Sequence, residues 1–221
     1  MTERHVFYLH GFASSPGSSK AAWLGARLAE AGRLFHCPDV NEPDFRTTTI
    51  SRMIRQVRAE IDSLPEGQVA LIGSSLGAIV ALHVAAMAGA LRGPAQIDRL
   101  VLLAPALGFA ADDPFLTPDE VAGWKETGTL EVFHHGFGEN RPLDYRFYED
   151  SLQYDPTTLA LTLPILILQG LRDQSVDHRV VERWTQIRPN VTLRLLDDDH
   201  QLMASLPRIW DEMRAFLEVE A

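Results

Sequence analysis

One ten-residue stretch restricts this chain more than any other: Val69-Ala-Leu-Ile-Gly73-Ser74-Ser75-Leu76-Gly77-Ala78. Val69 to Ile72 is an apolar run suited to a buried strand. Ala78 to Leu91 is nearly all apolar apart from His83, and suits a helix buried on most sides. Between the two stands Gly-x-Ser-x-Gly. In a strand-turn-helix of this kind the central serine takes a strained backbone, and its hydroxyl projects above the sheet. Side chains two residues before or after it would collide with the neighbouring strand or helix, which accounts for Gly73 and Gly77. The following helix directs its free N–H groups and a partial positive charge toward the same point. Ser74 is the adjacent hydroxyl, but it is out of frame with both glycines.

The rest of the chain alternates strand-like and helix-like segments. Val6 to His10, Leu34 to Cys37, Leu100 to Ala104, Ile165 to Gln169 and Val191 to Leu196 read as further strands. Helices are expected over Lys20 to Gly32, with Ser18 or Ser19 as N-cap, and over 50–64, capped by one of Thr47 to Thr49. Two more are expected near Asp177 to Ile187 and Ser205 to Glu218. Alternating elements of this kind argue for an α/β fold, a mostly parallel sheet with helices on both faces. No repeat or linker divides the 221 residues, so one domain, 1–221, is expected. Residues 110–160 break the pattern with Pro, Gly, Asp and aromatics in no long period. They read as a cap or lid insertion, with short helices starting at Thr117 and near Leu143.

Bulk properties narrow the function classes. A net charge of −10 without a basic cluster disfavours nucleic acid and anionic membranes. No apolar run is long enough to span a bilayer, and the N-terminus MTERHVFYLHGF lacks a secretory pattern. Cys37 is the single cysteine, which fits a reducing compartment, and a cytoplasmic location is expected. No pair of histidines stands at i, i+4 with a glutamate, so no metal is expected.

A serine hydroxyl needs a base within hydrogen-bond reach and a third group that fixes the base. Where the serine sits on a turn of this kind, the chain order is Ser, acid, His. Asp173 follows the strand Ile165 to Gln169 and can reach the same rim as Ser75; Asp177 is free to cap the next helix. His200 lies in the loop between the last strand and the last helix. Asp197, Asp198 and Asp199 are rival acids, but they are too near His200 in sequence to reach its far nitrogen easily. Two backbone N–H donors are needed for a developing oxyanion. Leu76 is the first candidate and Phe12 the second, with Ala13 in reserve. His10 is expected to be structural.

The chain resembles the α/β-hydrolase superfamily over nearly its whole length. Tyr8-Leu-His-Gly-Phe-Ala-Ser-Ser-Pro-Gly-Ser-Ser-Lys-Ala21, taken with Gly73-Ser-Ser-Leu-Gly77, is similar to the small bacterial esterases of the YqiA type. That resemblance implies carboxylic-ester hydrolysis without a cofactor, and places nucleophile, acid and base on Ser75, Asp173 and His200. Ala78 departs from the family's further glycine. The insertion, with Trp124, Phe133, Phe137, Tyr145, Phe147 and Tyr148, is similar to caps that form acyl pockets. Three other readings stand beside it. They are cleavage of a thioester, amide or carbon–carbon bond by the same residues, a non-catalytic binding module, and a nucleotide-binding protein. The last is disfavoured because GxGxxG and the P-loop lysine are both missing.

Overall fold

The computed structural model describes residues 4–87, 89, 92–108 and 116–218. Its frame is a six-stranded sheet built from β1 (Arg4–Leu9), β2 (Leu34–His36), β3 (Gln68–Ser74), β4 (Gln96–Leu103), β7 (Ile165–Gly170) and β8 (Val191–Leu196), in the order β2-β1-β3-β4-β7-β8. Every pairing is parallel. Parallel neighbours need crossovers, and here the crossovers are helices: α1 (Ser19–Glu30), α2 (Ile50–Asp62), α3 (Leu76–Ala86), α6 (His178–Gln186) and, after β8, α7 (Leu206–Phe216).

The pleat sorts the core into two halves. Val6, Tyr8, Ala70, Ile72, Val101, Leu103, Leu166 and Leu168 pack with α1 and α7. The alternate residues Phe7, Leu9, Val69, Leu71, Leu100, Leu102, Ile165 and Ile167 pack with α2, α3 and α6. Burial of both faces explains why these strands are apolar runs rather than alternating ones. The β3–β4 register shifts between Val69 and Ala70, which pair with Ile97 and Arg99. Asp98, stepped over there, accepts from the two terminal guanidinium nitrogens of Arg4, each at 2.8 Å.

Helix starts follow the capping chemistry. Ser18 accepts from Ala21 N–H, Thr49 from Arg52 N–H and Asp177 from Arg179 N–H. The helix expected as far as Leu91 ends at Ala86, with Met87 as its C-cap; positions 88, 90 and 91 lie outside the described residues.

Between β4 and β7 the chain folds as α4 (Pro118–Thr127), an antiparallel hairpin of β5 (Thr129–His134) and β6 (Glu139–Asp144), α5 (Arg146–Ser151) and a 3-10 turn (Pro156–Thr158). The helix at Thr117 is present, with Thr117 and Glu120 forming a capping box. The second helix begins at Arg146, three residues beyond the expected start. The hairpin between them was not expected. Positions 110–115 of the expected insertion lie outside the described residues. The segment is bound to the frame rather than laid over it. Trp124, Leu143 and Phe147 join the α2–α3 core, and the Trp124 indole N–H donates to Leu143 O at 3.0 Å. Asp150 accepts the Ser51 N–H at 2.8 Å, and Arg46 donates to Asp144 at 2.8 Å.

Three histidines have pKa values below the ordinary 6.5: His36, His83 and His134. Burial, which withholds water from the imidazolium, is the leading cause in each, and His5 adds repulsion at His36. Below about pH 6.5 the unfolded chain therefore binds more protons at these sites than the native protein does. Their contribution is complete above that pH and is lost as pH falls through the lower native values. The thermal midpoint is predicted to be lower at pH 5 than at pH 7.5. A midpoint that holds or rises on acidification contradicts this.

Candidate active site

All six strands run the same way, so their C-terminal ends form one rim, where ligands bind in open α/β sheets. Ser75 stands on that rim directly after β3, with φ 53° and ψ −116°. This left-handed backbone is costly for a residue with a side chain. It is held by the Ser75 N–H donating to Leu103 O at 2.9 Å and by the Ser75 carbonyl accepting Ala78 N–H at 3.0 Å. A Cβ on Gly77 would stand 2.1 Å from Leu9 O, and one on Gly73 2.5 Å from Gly77 O. Serine at a helix N-cap usually spends its hydroxyl on the first turn. Ser75 makes no such bond, and its Oγ lies 3.1 Å from His200 Nε2.

His200 Nδ1 lies 2.8 Å from Asp173 Oδ2. The Asp173 side chain is fully buried, whereas that of His200 is 21% exposed. Burial pushes the Asp173 carboxyl up, but the His200 ring, the Val176 N–H and the Gln169 amide outweigh it and hold its pKa below the usual value. Asp173 Oδ1 accepts the Ser175 and Val176 N–H groups, each at 2.8 Å, and Oδ2 also accepts Gln169 Nε2 at 2.9 Å. Gln169, fully buried, escaped the sequence reading; the available signal was a lone amide closing the apolar run Ile165 to Leu168, four residues before Asp173.

The rival acids are occupied elsewhere. Asp197 pairs with Arg172, Asp198 accepts the Asp199 and Ser205 N–H groups, and Asp199 accepts Gln201 N–H. The loops bearing Asp173 and His200 are laced together by Leu171 N–H to Leu196 O at 2.8 Å and Arg172 N–H to Asp198 O at 2.9 Å. Sequence reasoning named three residues spread over 125 positions, and the fold brings them into one hydrogen-bonded line.

Leu76 opens α3, so its N–H belongs to the first turn, which has no intrahelical acceptor. Phe12 and Ala13 are the middle residues of a turn closed by Ser14 N–H to Gly11 O, with Ala13 at φ 50°. The carbonyls of this turn are engaged outward. Ala13 O takes the His135 N–H of the hairpin at 2.7 Å, and Ser14 O takes the Asn41 amide at 2.7 Å. His10 is buried; its Nδ1 lies 3.0 Å from Gly11 O, and its Nε2 accepts Val40 N–H. The Phe12 ring packs on Phe45 and Phe147. The insertion thus buttresses the loop beside Ser75. Of its other aromatics, Trp124 is buried against Tyr145 and Tyr148, while Phe133 and Phe137 are exposed.

A parallel sheet with a serine on a turn of this kind defines the α/β-hydrolase fold, and solved structures agree. A candidate hydrolase from Agrobacterium vitis S4 is 26% identical, with a TM-score of 0.86 over 99% of this chain and 88% of that one. Alpha/beta hydrolase domain-containing protein 10 from mouse is 18% identical, with a TM-score of 0.78 over 97% and 89%. Est1E from Butyrivibrio proteoclasticus, solved with ferulic acid bound, is 18% identical, with a TM-score of 0.81 over 99% and 90%. The profile of the Uncharacterised protein family UPF0227 matches residues 5–218, and the chain belongs to that family, which is the YqiA type. No curated protein matches. Among the described residues no helix is long and apolar enough to cross a membrane.

The close approach at Gly77 makes a direct prediction. Gly77→Ala is expected to cost at least about 2–3 kcal/mol, because backbone must move. Gly123→Ala, within α4 and with open space around it, is expected to add about 0.5–1 kcal/mol. Denaturant midpoints of the two variants test this, and equal effects would refute the packing argument.

Proposed function

We propose that the protein is a serine hydrolase that cleaves carboxylic esters through an acyl-enzyme, with Ser75 as nucleophile, His200 as base and Asp173 as the acid orienting it. The observation that carries the reading is the line of hydrogen bonds from Asp173 through His200 to Ser75, at 2.8 and 3.1 Å. His200 accepts the Ser75 proton through Nε2 while Nδ1–H stays on Asp173, which fixes the tautomer and stabilises the imidazolium. The Ser75 oxygen bonds to the ester carbonyl carbon. The resulting oxyanion is met by the N–H groups of Phe12 and Leu76. His200 then gives the proton to the departing alcohol. Water, deprotonated by His200 in its turn, releases the acid and restores Ser75.

The preference for esters is supported by the names of similar folds: Est1E with ferulic acid, and a monoacylglycerol lipase from Paleococcus ferrophilus. The reaction needs no metal or organic cofactor, and its substrate is a small acyl compound rather than nucleic acid. The single-domain organisation, with 110–160 as a cap, belongs to the same proposal.

Hydrolysis of p-nitrophenyl esters of graded acyl length tests it. Ser75→Ala and His200→Ala are expected to lose at least about a thousandfold in kcat while remaining folded, and Asp173→Asn to lose a similar factor. Wild-type activity is expected to fall on acidification, because a protonated ring cannot accept the serine proton. A Ser75→Ala variant as active as wild type, or a rate flat from pH 5 to 8, refutes the assignment.

A further inference from the structure

The turn that carries Phe12 closes on itself through one bond, Ser14 N–H to Gly11 O at 3.3 Å, with Ala13 in the left-handed region at φ 50°. A strained turn keeps its shape only where its surroundings over-determine it. Two of its carbonyls are taken by other segments, and at shorter range than the closing bond. Ser14 O accepts Asn41 Nδ2 at 2.7 Å, and Ala13 O accepts the His135 N–H of the β5–β6 hairpin, also at 2.7 Å. Asn41 lies in the loop between β2 and α2 and is 5% exposed. A buried amide is costly unless it is bonded, and an apolar side chain would fill the space without that cost. The Asn41 backbone is itself fixed. Its N–H donates to Asp39 Oδ1 at 3.0 Å, and its carbonyl accepts Arg52 Nη2 at 2.8 Å. Gln56 Nε2 donates to Asp39 O at 2.9 Å. Arg52 and Gln56 belong to α2, so the amide that meets Ser14 O is anchored on a helix of the frame. His10 joins the same two segments again, with Nδ1 3.0 Å from Gly11 O and Nε2 accepting Val40 N–H at 3.3 Å. At the hairpin the approach is close as well: a Cβ on Gly136 would stand 2.7 Å from Ser15 Cβ. The mechanism above uses the Phe12 N–H of this turn, and none of the groups that hold the turn takes part in the chemistry.

We propose that Asn41 is a positioning residue for the oxyanion hole: with the His135 N–H as its counterpart on the hairpin, it holds the Gly11–Ser14 turn so that the Phe12 N–H meets the developing charge. The proposal rests on the hydrolase reading. Its physical content is directional. A backbone donor stabilises an oxyanion only when it is already aimed at the place the charge will occupy. A misplacement of about 1 Å can cost about a hundredfold in rate. The ground-state ester carbonyl asks less of the same donor, so slack in the turn shows in kcat rather than in KM.

The test compares Asn41→Ala and Gly136→Ala, which disturb the two anchors from separate segments. Steady-state kinetics on p-nitrophenyl esters are read beside inhibition by a trifluoromethyl ketone of matched chain length. Ser75 Oγ bonds to the ketone carbon, the hydroxyl proton passes to His200, and the ketone oxygen becomes an oxyanion, so this inhibitor reports on the oxyanion site without turnover. Asn41→Ala is expected to lower kcat about ten- to a hundredfold, with KM within about twofold of wild type, and to weaken the ketone by a similar factor. Gly136→Ala, at an exposed position where the fold is not at stake, is expected to lower both about three- to tenfold in the same pattern. A merely structural role lowers the thermal midpoint and leaves kcat per folded molecule and ketone affinity at wild-type values; that result in a folded Asn41→Ala overturns the proposal. Should Asn41→Ala not fold, the same result in Gly136→Ala overturns it. A loss confined to KM overturns it too. A wild type that cleaves no ester and binds no ketone overturns the hydrolase reading itself, whereas an active wild type beside an equally active Asn41→Ala overturns this proposal alone.

Discussion

The fold turns on one tight contact, the passage of α3 past the end of β1. Ser75 reaches the rim with a left-handed backbone only because Gly73 and Gly77 leave room for Ala78 and for the Leu9 carbonyl. The same contact brings the turn at Phe12 and Ala13 beside the start of α3. The close approach that strains the serine thus also sets that turn against it, where a Cβ on Gly11 would stand 3.3 Å from Ser75 Cβ. Strain at one residue persists because the sheet on one side and the apolar helix on the other over-determine it.

A second constraint is the buried carboxylate. Asp173 has no exposed side-chain surface, and a charge in that position is tolerable only when its oxygens are occupied. Two backbone N–H groups, the Gln169 amide and the His200 ring supply that. Each bond also fixes an orientation, so the acid arrives at His200 pre-aligned. Gly170 lets the His200 loop cross the end of β7, where a Cβ would meet the Asp198 and Asp199 carbonyls at 2.6 Å. Asp173 and His200 are therefore tied by backbone as well as by side chain.

Much of this was legible in the sequence, for a local reason. Apolar strands end in polar loops, so Ser75, Asp173 and His200 each announce themselves by position after a strand, and a parallel sheet gathers such ends on one rim. The β5–β6 hairpin was not legible. Its strands carry Pro142, Glu131 and Glu139, and they pair only because Trp124 and Leu143 anchor them to a core formed by distant residues. Pro142 is tolerated because a two-stranded ribbon has only edges. Asn41 was not legible either, because a loop asparagine is read as exposed and the Ser14 carbonyl it bonds lies 27 residues away.

The central claim is that Ser75 is the nucleophile. A fluorophosphonate probe tests it directly: the serine Oγ forms a bond to phosphorus, fluoride leaves, and the adduct survives for peptide mapping by mass spectrometry. The account predicts one adduct per chain, on Ser75, with labelling slowed at least a hundredfold in a folded His200→Ala. An adduct on Ser74 or elsewhere, or labelling indifferent to His200, would contradict it.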